Sequence, residues 1–210
     1  MSVARALLGC VLESRIRGVV TAGRIVEVEA YVGPHDPAAH GYRGRCTQRN
    51  RCLFGPPGTG YVYFIYGMHW CFNAVTEAEG YPAAVLVRAL EPLRGSDAMR
   101  RRRGNGDPQA LCSGPARLCQ ALGITGSLNG ASLRGPRIRI LRRETDTPPE
   151  VVVGPRIGIR RAADWPLRFV ARGSMWTSRP ESGAGARGPR TPASRAQWKR
   201  RGAPPHTDTT

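Results

Sequence analysis

Acidic residues are scarce in this chain, which has 15 aspartates and glutamates against 32 lysines and arginines and a formal net charge of +17 at pH 7. Lysine is nearly absent as well, since Lys199 is the only one. Arginine therefore supplies the positive charge, and its guanidinium group binds phosphate oxygens with two parallel hydrogen bonds. This imbalance indicates a polyanionic partner, in the first place a nucleic acid.

Long apolar runs and closely paired cysteines are also missing. No apolar run approaches the length of a membrane-spanning helix, and no signal peptide is visible. The six cysteines form no C-x-x-C pair, which is typical of small core or surface residues in a reducing compartment. The spacing of His40, Cys46 and Cys52 matches no standard zinc site. We therefore expect a soluble cytoplasmic protein that has no membrane partner and no metal.

The 210 residues suffice for one sizeable domain with a hydrophobic core. Residues 1–176 have the composition of such a domain, whereas residues 177–210 are rich in Gly, Pro, Ser, Thr and Arg and have almost no large apolar side chains. We expect this tail to be disordered. Its seven basic and two acidic residues contribute +5 of the +17 and leave +12 to residues 1–176, so the predicted domain is itself basic.

Strand-like runs outnumber helical patterns, which predicts an α+β fold with a mixed, mainly antiparallel sheet and peripheral helices. The runs predicted as strands are 10–16, 24–31, 61–65, 70–75, 84–90, 137–141, 151–153, 156–160 and 167–173. Ser2 is a candidate cap for a short helix that stops at Gly9. A second helix, within 111–124, begins at Ser113 or Pro115 and ends at Gly123.

The alternation of apolar and polar residues in segment 23–31, GRIVEVEAY, is typical of a half-buried strand. It places two sets of side chains on opposite faces, namely Ile25, Glu27, Glu29 and Tyr31 on one and Val26, Val28 and Ala30 on the other. Two carboxylates and a phenol on one face suggest an acid/base site beside an aromatic surface. Considered alone, however, the segment favours the alternative of a solvent-facing strand edge with scattered charge.

Segment 55–60, GPPGTG, is similar to the beginning of a phosphate-binding P-loop. That motif continues with Lys-Ser/Thr and a helix, whereas here Tyr61 and Val62 follow and open a strand. Pro57 and Gly58 therefore predict a turn rather than a nucleotide site.

The segment 61–75, YVYFIYGMHWCFNAV, predicts a β-hairpin with Tyr66, Gly67 and Met68 at its tip. Exposed aromatic tips are unusual unless something binds there, and aromatic wedges that enter a minor groove and unstack bases are one such use. The alternative is an aromatic hairpin buried in the core.

A basic loop precedes the hairpin at 41–51, GYRGRCTQRNR. It carries four arginines, namely Arg43, Arg45, Arg49 and Arg51. Such a loop suits contacts to a phosphate backbone, although an ordinary solvated loop has the same composition.

In these segments the chain closely resembles the alkyladenine (3-methyladenine, methylpurine) DNA glycosylase family. The matching segments are ARALLG (4–9), GRIVEVEAYVGPHDPAAH (23–40), TQRNRCLF (47–54), PGTGYVYFIYGMHWCFNAV (57–75), VLVRALEP (85–92), LCSGPARLCQALGI (111–124), RIGI (156–159) and PLRFVARG (166–173). They occur in family order, and the combination of VEAY, AAH, YVYFIYGM and LVRALEP is highly specific. The short segment 96–112 is similar to that of bacterial members.

The resemblance implies a monomeric base-excision repair enzyme that needs no cofactor. Such an enzyme binds double-stranded DNA and flips a damaged purine into a pocket, the substrates being 3-methyladenine, 7-methylguanine, hypoxanthine or ethenoadenine. It then hydrolyses the N-glycosidic bond and leaves an abasic site. The alternative is a non-catalytic nucleic-acid-binding protein with the same basic surface. That alternative explains the charge but not Glu29 beside Tyr31 and His40.

The resemblance also implies roles for individual residues. Glu29 would be the general base that deprotonates the attacking water, which Arg88 and the backbone carbonyl of Ile157 would help to hold. Three rings would stack around the flipped base, namely Tyr31, His40 and Tyr63. Asn73 would exclude the exocyclic amine of guanine. Tyr66 would fill the gap in the duplex from the tip of a protruding hairpin, with Met68 beside it.

Overall fold

The computed structural model describes residues 1–104, 106–143 and 145–179, so most of the predicted tail lies outside the described residues. Three α-helices are present in the described part: α1 (Ser2–Leu7), α2 (Ser96–Arg103) and α3 (Pro115–Leu122). The strands are β1 (Val11–Ile16), β2 (Val19–Tyr31), β3 (Gly60–Ile65), β4 (His69–Thr76), β5 (Ala83–Arg94), β6 (Ile138–Leu141), β7 (Val151–Gly154) and β8 (Arg168–Ala171).

All strand pairs are antiparallel and belong to one curled sheet in which the main path runs β3-β4-β5-β2-β1-β6. Strand β2 is its centre, because β5 follows it along one edge while β1 and then β8 pair with its other edge. The largest core cluster packs helices α2 and α3 against this sheet, with Met99, Leu118 and Leu122 fully buried. The prediction of an α+β fold with a mainly antiparallel sheet and peripheral helices is confirmed. No helix in the described part is long and apolar enough to cross a membrane.

The register of β2 is irregular at Glu27, where pairing with β5 shifts by one residue. Ile25 packs in the main core with Val28 and Ala30, whereas Val26 belongs to a smaller cluster. The expectation that Ile25 shares a face with Glu27 is therefore wrong, because a bulge reverses strict alternation. The irregularity coincides with the change of neighbouring strand from β1 to β8.

The boundaries of helix α1 differ from the sequence prediction, whereas those of α3 agree with it. Helix α1 is capped by Met1 rather than Ser2, with no side-chain hydrogen bond. Helix α3 spans Pro115–Leu122, which confirms Pro115 as its start, and Gly123, whose φ of 69° is left-handed, follows its last residue. Proline at the first helical position and glycine after the last one explain these bounds.

Segment 156–160 is not a strand, contrary to the prediction. Gly158 has a φ of 77°, which is incompatible with extended pairing. The N–H of Ile157 binds a side-chain carboxylate instead of a neighbouring strand. The turn at Pro57 and Gly58 is present and leads directly into β3, which confirms that GPPGTG is not a P-loop.

Candidate active site

A cavity of about 360 Å³ lies against strands β2 to β5, a volume within the range of small-molecule pockets. Residues from all four strands line it, together with the loops around His40 and Ile157. The predicted site residues among them are Tyr31, His40, Tyr63, Tyr66, Asn73, Arg88 and Ile157. The fold thus brings together side chains that lie far apart in the sequence.

Glu29 lies directly behind the residues that line the cavity and is fully buried. Its Oε1 accepts a hydrogen bond from the Ile157 N–H at 2.7 Å and lies 3.2 Å from Arg88 Nη1. Its Oε2 accepts a hydrogen bond from the Tyr31 hydroxyl at 3.1 Å. All three partners line the cavity. The resemblance implies a role for the Ile157 carbonyl, and the structure shows that the N–H of the same residue contacts the carboxylate.

Burial raises the pKa of Glu29 above the ordinary glutamate value, and the charge of Arg88 and the two hydrogen bonds offset this only in part. The nearby Glu27 carboxylate raises it further. A general base works best when its pKa approaches the operating pH. The raised pKa therefore makes Glu29 a stronger base than an exposed glutamate.

Glu27 is the second carboxylate of the predicted face, and it is fully buried too. It binds Arg88 Nε at 3.1 Å and Arg168 Nε at 2.8 Å. Two guanidinium groups thus balance the two carboxylates, which removes the cost of burying like charges side by side. The alternative of a solvent-facing strand edge is wrong.

Three aromatic side chains, His40, Tyr61 and Tyr63, form one wall of the cavity. The ring centroids of His40 and Tyr63 are 4.5 Å apart, and those of Tyr61 and Tyr63 are 5.4 Å apart. His40 Nδ1 is hydrogen-bonded to the Tyr61 hydroxyl at 2.8 Å. Much of His40 remains exposed at the mouth, but desolvation of its ring and the charge of Arg49 lower its pKa. The imidazole is therefore neutral at pH 7, and burial raises the pKa of Tyr61 to about 12.

A buried ion pair that the sequence did not reveal supports this wall. Both Arg156 and Asp36 are fully enclosed, with Arg156 Nη2 2.8 Å from Asp36 Oδ1. The Arg156 guanidinium stacks 4.7 Å from the centroid of the Tyr31 ring, a geometry that favours cation–π attraction. Asp36 also accepts the Ala38 N–H, which fixes the turn leading to His40.

Asn73 is buried on β4, and its amide donates to the Tyr61 carbonyl at 3.1 Å. Because Asn73 pairs with Tyr61 across the hairpin and lines the cavity, the bond fixes its amide at the cavity wall. Cys71, two residues earlier, lines the same cavity and was not predicted from the sequence.

The hairpin tip is exposed, with 79% of Tyr66 and 68% of Met68 accessible to solvent. Tyr66 and Gly67 both have left-handed φ values, 54° and 69°, and such a turn is unusual for tyrosine. Tyr66 also lines the edge of the cavity. The alternative of an aromatic hairpin buried in the core is therefore wrong for the tip, although it holds for the base of the hairpin, where Tyr61, Val62 and Phe72 are buried.

All four arginines of the basic loop are exposed, namely Arg43, Arg45, Arg49 and Arg51. Arg49 donates to the Phe64 carbonyl at 2.7 Å and so joins the loop to the hairpin. Asn50 is buried and donates to the carbonyls of His40 and Arg45. The loop, the hairpin and the cavity mouth are thus parts of one surface.

Two residues that contact the Glu27 carboxylate were not predicted, namely Arg168 and Ser178. Both lie more than 140 residues from Glu27, and no local pattern marks them. Among the described residues, no three His, Cys, Asp or Glu side chains are grouped so as to hold a metal ion, and His40, Cys46 and Cys52 are no exception.

The chain was compared with known proteins. The model of the methylpurine-DNA glycosylase family matches residues 1–175. A protein of Methanoculleus marisnigri is 55% identical over 184 residues, which cover 85% of this chain and 93% of that protein. One of Rhodopseudomonas palustris (strain HaA2) is 53% identical, with 85% of each chain covered. One of Carboxydothermus hydrogenoformans is 47% identical, with 84% of this chain and 92% of that protein covered. All three are provisionally named 3-methyladenine DNA glycosylases.

Proposed function

The chain belongs to the methylpurine-DNA glycosylase family, and we propose that this DNA N-glycosylase flips alkylated or deaminated purines out of duplex DNA into the cavity beside Glu29. The substrates we propose are 3-methyladenine, 7-methylguanine, hypoxanthine and ethenoadenine. The observation that carries the proposal is the fully buried Glu29 carboxylate, held by three groups of the cavity wall.

Base recognition depends on the aromatic wall. Alkylation at N3 or N7 gives a purine a positive charge, and aromatic faces attract a cation by about 0.5–2 kcal/mol per contact. The lowered pKa of His40 keeps its ring neutral, so it does not repel such a base. Neutral lesions gain only the stacking part of this attraction.

The chemical step is hydrolysis of the bond between C1′ and the purine nitrogen. A water oxygen bonds to C1′, Glu29 accepts the water proton, and the bonding electron pair leaves with the base. A purine alkylated at N3 or N7 departs as a neutral molecule, whereas a neutral lesion such as hypoxanthine must also take up a proton to do so. Three donors occupy sites on the Glu29 carboxylate, which has room for about four hydrogen bonds. Oε2 can therefore accept a further bond from the attacking water, and Arg88 and the Ile157 carbonyl complete its surroundings. The positive charge that develops on the sugar is stabilised by the same carboxylate.

Duplex binding uses the surface around the cavity mouth. Tyr66 occupies the gap that the flipped base leaves, and its place at the cavity edge supports this. Met68 lies beside it at the tip, and Arg43, Arg45, Arg49 and Arg51 contact phosphates along the adjoining strand. All the proposed site residues come from one chain, which supports a monomeric enzyme.

The test is excision from duplexes that each carry one lesion. We expect release of the free base, followed by strand cleavage only after heating in alkali, because hydrolysis leaves an intact abasic site. A duplex with undamaged adenine at the same position is the matched control. Binding to the lesion duplexes without release of any base would favour the non-catalytic nucleic-acid-binding protein.

A further inference from the structure

Residues 176–179 lie against the buried face of the site, beyond the predicted domain end at 176. Trp176 packs on a small apolar cluster formed by Val26, Ala89 and Ala171. This anchor brings Ser178 to Glu27. The Arg179 carbonyl accepts a hydrogen bond from Arg168 Nη2 at 3.0 Å.

Ser178 contacts both members of the buried Glu27–Arg88 ion pair. Its N–H donates to Glu27 Oε2 at 2.6 Å, and its hydroxyl donates to Glu27 Oε1 at 2.8 Å. The same hydroxyl accepts a hydrogen bond from Arg88 Nη2 at 3.4 Å. Glu27 thus receives four donors, two of them from one serine.

These contacts fix the orientation of Arg88. The guanidinium group is planar, with Nε and Nη2 on one edge. Glu27 and Ser178 hold that edge, so Nη1 points at Glu29. A rotation of the plane would move Nη1 from the carboxylate without breaking any strand pairing.

We propose that Ser178 is a positioning residue for the glycosylase reaction, which holds Glu27 and Arg88 so that Arg88 Nη1 contacts Glu29. The inference rests on the proposed role of Glu29 as general base. Ser178 lies behind Glu27 and touches neither the cavity nor the reacting atoms.

The consequence is a change in the pH dependence of the reaction. The charged and titratable groups that face Glu29 are Arg88 from β5, Tyr31 and Glu27 from β2, and Cys71 from β4. Of these only Arg88 is positively charged, so its displacement leaves the desolvation of Glu29 less compensated. The pKa of Glu29 then rises, and the active carboxylate form is lost at a higher pH.

The experiment compares Ser178→Ala with wild type in the full chain, by single-turnover excision of hypoxanthine between pH 5 and 9. We expect the acidic limb of the profile to move up by about half a pH unit or more, with the loss in rate greatest at low pH. Affinity for duplex and melting temperature should stay close to wild type. Ser178→Thr retains the hydroxyl and should restore the profile. Ser174→Ala removes a hydroxyl from the same segment and is the control, since Ser174 contacts the Trp176 N–H instead.

A second readout does not require activity. The Arg88 Nε–H donates to Glu27 and is enclosed by it. Its NMR signal can be assigned because it disappears in Arg88→Lys. We expect this proton to exchange with water at least about threefold faster in Ser178→Ala than in wild type. An unchanged exchange rate would overturn the proposal whether or not wild type excises a base. Faster exchange in Ser178→Ala combined with no excision by wild type would mean that the proposed function alone had failed. A pH profile that matches Ser174→Ala, or a loss that is equal at every pH, would overturn it too.

Discussion

Replacement of Glu29 by glutamine removes the proposed base while it preserves the shape of the side chain. In the structure the Ile157 N–H and Arg88 both approach Oε1, and Tyr31 donates to Oε2. The amide oxygen can accept the first two bonds, and the Tyr31 hydroxyl can reverse and accept from the amide nitrogen. Arg88 keeps its partner Glu27. We therefore expect the variant to fold and to bind duplex DNA with nearly unchanged affinity.

The expected loss is in the chemical step. General base catalysis contributes roughly 10²- to 10⁴-fold, which corresponds to about 2.7–5.5 kcal/mol of activation free energy. The pH profile provides a second signature. Burial raises the pKa of Glu29, and only the deprotonated form accepts a proton, so the wild-type rate rises with pH through that raised pKa and then levels off. Glutamine does not titrate, so the variant should lack this limb.

The assay is single-turnover excision of hypoxanthine or ethenoadenine with enzyme in excess, combined with equilibrium binding to the same duplex. Glu91→Gln is the matched control, because Glu91 pairs with Arg24 at the surface away from the cavity. A rate for Glu29→Gln within about tenfold of wild type, or about 1.4 kcal/mol, would refute the reasoning. The same conclusion would follow if the acidic limb were retained.

Three further predictions concern the hairpin, the cavity and the basic loop. Tyr66→Ala should lower the population of the flipped state, because the gap in the base stack is no longer filled; a fluorescent base analogue beside the lesion would report this, and an unchanged equilibrium would mean that Tyr66 is not the wedge. Asn73→Ser should permit slow release of guanine from guanine–thymine mismatches, since a shorter side chain leaves room for the N2 amine; if guanine stays intact while hypoxanthine is released, another feature excludes it. Arg45→Ala and Arg51→Ala should each reduce the slope of log affinity against log salt concentration by about 0.9 for each phosphate that the variant no longer neutralises. Slopes equal to that of wild type would mean that these two residues do not contact the DNA.

Most of the sheet could be predicted from the sequence because its strands carry local apolar and aromatic runs. Helix α2 could not, since its sequence SDAMRRRR shows no apolar period and only Ala98 and Met99 are buried. The false strand at 156–160 shows the opposite error. Its apolar residues suggest strand pairing. However, Gly158 has a left-handed φ and the Ile157 N–H donates to Glu29, so the backbone forms part of the site instead of a strand.

The site residues also fall into two groups, namely those that a local sequence pattern indicates and those that only the fold brings together. The spacing of Glu29 and Tyr31 was visible in one strand, and family resemblance supplied Arg88, His40 and Tyr63. Tyr61, the third residue of the aromatic wall, was not predicted. The supporting contacts were not visible, because Asp36 and Arg156 are 120 residues apart and Glu27 and Ser178 are 151 apart. Such contacts between distant residues depend on how β2, β5 and β8 are arranged in the sheet. No single sequence segment predicts that arrangement.

The two carboxylates of β2 are chemically alike, and only their partners separate their roles. Glu27 accepts hydrogen bonds from two guanidinium groups and from Ser178, and of these partners among the described residues Arg88 alone lines the cavity. Glu29 shares Arg88 but is otherwise held by neutral donors, and all its partners face the cavity. Glu27 is the anionic partner of the buried Arg168, and loss of such a partner costs several kcal/mol. A proton taken up by Glu29 leaves Arg88 still paired with Glu27. In the proposed reaction Glu29 can therefore accept a proton while Arg88 and Arg168 both keep a carboxylate partner in Glu27.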